Sequence, residues 1–332
     1  MIELRNDSLV FSFPDIHPKA KLTIDFQRTL RIPDDGNDYP LPPGLGRFPI
    51  KHIDDFKQNL PKGWEQHGGV MLPMYQSEAL WLKFNSEYIS KNCTEYPFAI
   101  KVATGKINAV TGDSWTDWLQ RDPQDYLVSS EQPWLDGFNV EKGIIRQFVA
   151  MPLGSGYSVE EQLTGKDESG GLQIIVYPMI RKIFEKRFPV RDKKDRKYRS
   201  DVMYSMVAEE SCLDMGLAPG GRMRQEIYED PFELDDWEMG QKSRCFVHLA
   251  NSLTWREITG DNPPTVPFTV KEYTSHHMPW FDYYNDGAGV LKGSKKLASI
   301  KSVKDKAIEK GDNPLPENST VFSDPVIKIY AE

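Results

Sequence analysis

Residues 134–178 read WLDGFNVEKGIIRQFVAMPLGSGYSVEEQLTGKDESGGLQIIVYP. Two segments inside this stretch, GIIRQFVAM (143–151) and LQIIVY (172–177), are apolar on both alternating faces, as strands buried on both sides must be. Between them, Ser158-Val159-Glu160-Glu161 has capping-box spacing, with a hydroxyl placed to accept the amide three residues on and Glu161 placed to reach back. The spacing predicts one short helix over 158–164, closed by Gly165, inside a central hairpin. Gly154-Ser155-Gly156 resembles a phosphate cradle ahead of that helix. Glu160 and Glu161 occupy the place of the phosphate, however, and no lysine-bearing phosphate loop follows, so a plain tight turn is expected. Arg146 falls on the apolar face of Ile144, Phe148 and Ala150 and needs a partner, for which Asp136, Glu160 and Glu161 are nearest in sequence. A structural ion pair is the expectation there, and an active-site arginine the alternative.

Outward from this stretch, residues 9–13 and 22–26 alternate cleanly and read as two half-buried strands. Pro33-Asp34-Asp35-Gly36 is a turn, and the four prolines within 39–49 suggest an extended segment lying over the sheet. Residues 79–84 form a further strand, and 98–103 with 106–110 form a hairpin about Thr104-Gly105. Residues 113–119 suggest a short helix with Trp115 and Trp118 facing inward. In the second half, 203–208, 223–228, 245–250, 253–258 and 266–270 read as strands, and GLAPGG (216–221) as a turn. Ser294 caps the one long amphipathic helix, about 295–310, with Gly311 as its stop and 326–330 as an edge strand beyond.

The composition agrees with these turns and short strands. Aromatics at 11% with 24 Gly and 24 Pro favour strands and large core rings over a helical bundle. The expectation is a mainly β, β-rich α+β fold: two packed-sheet regions, few helices and one C-terminal amphipathic helix. At 332 residues, two domains are the prior, divided as 1–189 and 200–332 by a basic linker at 190–199. Residues 181–199 carry ten basic side chains against three acidic ones, whereas 226–238 carries seven acids and no base. These opposed segments invite pairing within the molecule, self-association or a protein partner. The net charge of −8 argues against nucleic acid. Cys93, Cys212 and Cys245 show no disulfide or zinc spacing, no run reaches a membrane span, and the N-terminus has no signal-peptide pattern. A soluble, cytoplasmic protein is expected.

Chemistry concentrates in His276-His277-Met278-Pro279-Trp280-Phe281-Asp282-Tyr283-Tyr284-Asn285-Asp286. His276 or His277 with Asp282 or Asp286 would supply an acid–base pair or ligands for a divalent metal (His276, Asp282, Asp286). Adjacent histidines on a strand nevertheless point to opposite faces, and the spacing follows no known metal signature. Cys212 sits beside Glu209 and Glu210, whose charge disfavours a thiolate. No nucleotide, metalloprotease or nucleophile-elbow motif occurs, so no cofactor is expected.

The runs Trp134-Leu135-Asp136-Gly137, Arg146-Gln147-Phe148-Val149-Ala150-Met151-Pro152-Leu153-Gly154 and Glu161-Gln162-Leu163-Thr164-Gly165 resemble a family of uncharacterised microbial proteins. GLAPGG and Pro279-Trp280-Phe281-Asp282-Tyr283-Tyr284 share that resemblance, which implies no activity, ligand or catalytic residue. The sequence therefore points first to a non-catalytic binding or assembly protein. The alternatives are a hydrolase using His276, His277 and Asp282, with Arg146 a further catalytic candidate, and a carbohydrate-binding protein using exposed rings.

Overall fold

A computed structural model describes residues 1–190, 215–264, 266–313, 323 and 326–331. The expected strand at 203–208, Cys212 and the 191–199 part of the basic segment lie outside the described residues. The fold is mainly β, with 38% strand against 17% helix. Among the described residues two large sheets dominate. The first runs in the order Ile2–Arg5, Ser8–Ser12, Lys21–Thr29, Ala79–Ser86, Ile144–Pro152, Met215–Arg224, Asp38–Tyr39. The second runs Ile107–Asn108, Phe98–Thr104, Leu172–Pro178, Ser243–Ala250, Val70–Pro73, Lys51–His52. Both sheets draw strands from each side of residues 190–199.

The two apolar strands of the opening stretch are present, but they form no hairpin. Ile144–Pro152 pairs with Met215–Arg224, Ala79–Ser86 and Gly137–Glu141 in the first sheet. Leu172–Pro178 pairs with Phe98–Thr104 and Ser243–Ala250 in the second. Each is apolar on both faces and so takes an interior position with neighbours on both edges. The link between them steps from sheet to sheet through the helix Val159–Thr164, whose capping box is complete: Glu161 N–H donates to Ser158 Oγ and Ser158 N–H to Glu161 Oε2. Side chains from both sheets, among them Phe11, Ile24, Phe26, Phe98, Ile100, Ile174 and Leu249, share one buried cluster.

Several local expectations are corrected. GLAPGG is no turn but the middle of the strand Met215–Arg224, with Gly216 opposite Met151 and Pro219 opposite Phe148. Its glycines serve close approach: a Cβ on Gly221 would lie 2.4 Å from the Pro33 carbonyl oxygen. Residues 253–258 are helical, because Asn251 Oδ1 accepts the amides of Leu253 and Thr254 and starts Ser252–Thr259. Residues 266–270 form no strand, and Thr269 instead caps a helix, Val270–Ser275. Residues 113–119 are not helical, and Trp118 is 62% exposed. The single C-terminal helix is two, Lys295–Ala298 and Val303–Lys310, because Ser302 caps a fresh start by accepting from the Asp305 amide. The proline-rich segment contributes two short strands, Asp38–Tyr39 and Gly44–Arg47. Among the described residues no helix is long and apolar enough to cross a membrane.

Candidate functional site

A cleft of about 420 Å³ opens over the second sheet, lined by His52, His67, Lys106, Trp115, Arg244 and Phe246 among others. Two of its lining rings, His67 and Phe246, belong to a cluster of four completed by His248 and Trp64. Phe246 and His248 are two apart on the strand Ser243–Ala250, so both project from one face. Trp64 and His67 are three apart on the one-turn helix Trp64–His67, so both project over that strand. The result is His67 stacked on Phe246 (centroids 4.7 Å, planes 13° apart), Phe246 against His248 (4.4 Å), and His248 stacked on Trp64 (4.3 Å). Gly68 and Gly69, both at positive φ, carry the chain from the helix into Val70–Pro73. A Cβ on Gly69 would stand 2.1 Å from the Phe246 carbonyl oxygen, so only glycine lets the helix settle this close.

Within the cluster Trp64, Phe246 and His248 are buried, whereas His67 is exposed. Burial, opposed by a hydrogen bond from Nε2 to the Gly68 carbonyl, brings the His248 pKa down to about 4, so this imidazole is neutral. Burial also lowers the pKa of His67, and the nearby Lys106 charge adds to the effect. Cys245 lines the cleft as well, but burial pushes its thiol up to about 12, which makes it a poor nucleophile.

Two cations flank the rings. Lys106 sits at the tip of the hairpin joining Phe98–Thr104 to Ile107–Asn108, at φ +60°, with its amide donating to Gln173 Oε1 at 2.6 Å. Its ammonium meets no carboxylate among the described residues. Arg244 lies 3.2 Å from Asp117, whose other oxygen accepts the Trp115 indole N–H at 3.0 Å. Asp54, the one acid in the lining, is paired with Lys57. The uncompensated charge of the cleft is therefore positive. A second cleft, about 330 Å³, lies beside Tyr157 and Val303–Lys310, but Lys310 already donates to the Ser155 carbonyl and Tyr157 to Asp312.

The catalytic and metal-ligand candidates singled out from the sequence lie elsewhere. Asp282 is buried on the strand Trp280–Tyr284 and accepts both arms of Arg224, at 3.0 and 3.1 Å. His276 caps the end of Val270–Ser275, His277 follows at φ +52°, and both are exposed, as is Asp286. Among the described residues no three His, Cys, Asp or Glu side chains gather to hold a metal ion. Arg146 finds Asp34 at 3.4 Å and the Gly220 carbonyl at 3.1 Å. Its neighbours in sequence are engaged elsewhere: Glu160 accepts the Ser169 and Gly170 amides, Glu161 completes the capping box, and Asp136 bonds Gln225. Of the two opposed charge segments, Arg187 and Asp236 meet at 2.5 Å within the molecule, and Asp230 is buried on Tyr126 and Trp237.

The ring cluster left a faint trace in the sequence. Aromatic residues flank histidines at helical spacing in WEQH (64–67) and at strand spacing in FVH (246–248), but nothing local says that these two segments meet. Compared with known protein families, curated proteins and solved structures, the chain matches none.

Proposed function

We propose that this protein is a non-catalytic binding protein whose ligand enters the ring-lined cleft over the second sheet. The supporting observation is the stacked pair His67–Phe246 in the cleft lining, backed by His248 and Trp64, with the His67 ring exposed. Such a surface supplies apolar contact and stacking geometry without a moving part. The thiol beside it is held protonated and the inner imidazole neutral and hydrogen-bonded, which favours retention of a ligand over its conversion.

A thermal-shift screen against a library of small metabolites tests this reading. At least one compound is expected to raise Tm in the wild type and to lose that effect in Phe246→Ala and in His67→Ala. His67 is exposed, so its replacement leaves the fold intact and isolates the cleft. A library that shifts none of the three proteins, or shifts all three equally, removes the cleft as the site.

A further inference from the structure

We infer that the ligand of this cleft is a small anion carrying a flat aromatic or heteroaromatic ring, its charge on Lys106 and Arg244 and its ring on the exposed His67 imidazole. The inference rests on the binding role proposed above and adds the chemical class. Three features of the lining select that class.

The first is the supply of charge. Lys106 is presented at a hairpin tip with its ammonium unmatched by any carboxylate among the described residues. Arg244 is 70% exposed and shares Asp117 with the Trp115 indole, so some of its five donors remain open. The acid Asp54 is turned to Lys57. An ammonium and a guanidinium favour a carboxylate or phosphate through charge-assisted hydrogen bonds.

The second is the nature of the apolar surface. His67 lies flat on Phe246 in the cleft lining, and the His67 ring is exposed. A planar ring extends such a stack, whereas an aliphatic chain gains area alone. The third is the shortage of free hydrogen-bonding amides. Gln173 is committed at both ends, its oxygen to the Lys106 amide and its nitrogen to the Gly170 carbonyl. Gln66 is then the only lining amide side chain with no partner among the described residues, too few for a polyhydroxylated sugar.

Calorimetry on the full-length protein tests the inference with four probes: phenyl phosphate, inorganic phosphate, benzyl alcohol and glucuronate. Phenyl phosphate is expected to bind about tenfold or more tightly than any of the other three, because only it combines ring and charge. Lys106→Gln is expected to weaken phenyl phosphate about tenfold while leaving benzyl alcohol unchanged. His67→Ala is expected to weaken phenyl phosphate and leave inorganic phosphate unchanged. Glucuronate equalling phenyl phosphate would overturn the ring requirement, and indifference to Lys106→Gln would overturn the anion requirement. If neutral library compounds bind in the cleft while phenyl phosphate does not, this inference fails and the binding role stands. If nothing in the library binds there, both fail.

Discussion

Asp136 is the most poorly compensated carboxyl among the groups described above. It is 2% exposed, and among the described residues its side chain meets only the amide of Gln225, at 2.6 Å. Burial raises its pKa from 3.8 to about 7, with the Gln225 bond opposing. Because the folded-state pKa lies above the unfolded one, the folded chain holds a proton the unfolded chain releases. Stability from this source is complete below about pH 4 and is lost as pH rises through about 7, a difference of at most about 4 kcal/mol. Asp136→Asn keeps an acceptor for Gln225 without the charge. Urea denaturation should find it more stable than wild type by about 2–4 kcal/mol at pH 8, with the gap closing toward pH 4. A gap independent of pH would mean that Asp136 does not titrate in this window. Single residues were the least legible level of the sequence. The need of Arg146 for a partner was readable from the apolar face it occupies, but Asp34 was not, because the pairing joins a strand to a turn 112 residues away that only the tertiary fold brings beside it. The buried pairs Arg28–Glu78 and Lys101–Asp125 escaped notice for the same reason.

Elements were legible where the signal was local. The helix Val159–Thr164 was marked by its own cap, and the hairpin by Thr104-Gly105, although the turn itself falls one residue later, with Gly105 and Lys106 at positive φ between the paired Thr104 and Ile107. Ser158→Ala should cost about 1 kcal/mol by urea denaturation, since it strands the Glu161 amide. No measurable loss would show that the cap is redundant in the folded protein. Elements failed to be legible where a long-range contact overruled local preference. GLAPGG has the composition of a turn, yet Gly220 and Gly221 are there to let Val149 of the neighbouring strand and Pro33 of a distant turn come close, which the local sequence does not show. The stretch 253–258 has β-forming residues, yet Asn251 caps it as a helix. Leu253 is left exposed, and Trp255 and Ile258 are buried against Met71. The candidate cleft belongs to this second kind: its rings were visible, and their meeting was not.

At the scale of the molecule, β-richness followed from composition and turn density, while the sharing of both sheets by the two halves did not. Residues 1–189 on their own would leave Ile144–Pro152 without Met215–Arg224 and Leu172–Pro178 without Ser243–Ala250. That fragment is expected to lack a cooperative thermal transition and to aggregate, as long apolar edges do. A sharp transition in the fragment, followed by circular dichroism, would show that it folds alone. The parallel pairing of Val70–Pro73 with Ser243–Ala250 carries one more consequence. Trp64 and His67 leave the ribosome long before Phe246 and His248, the rings they rest on. A nascent chain halted short of that strand has no stack at all, so occupancy of the cleft would distinguish finished translation products from abandoned ones.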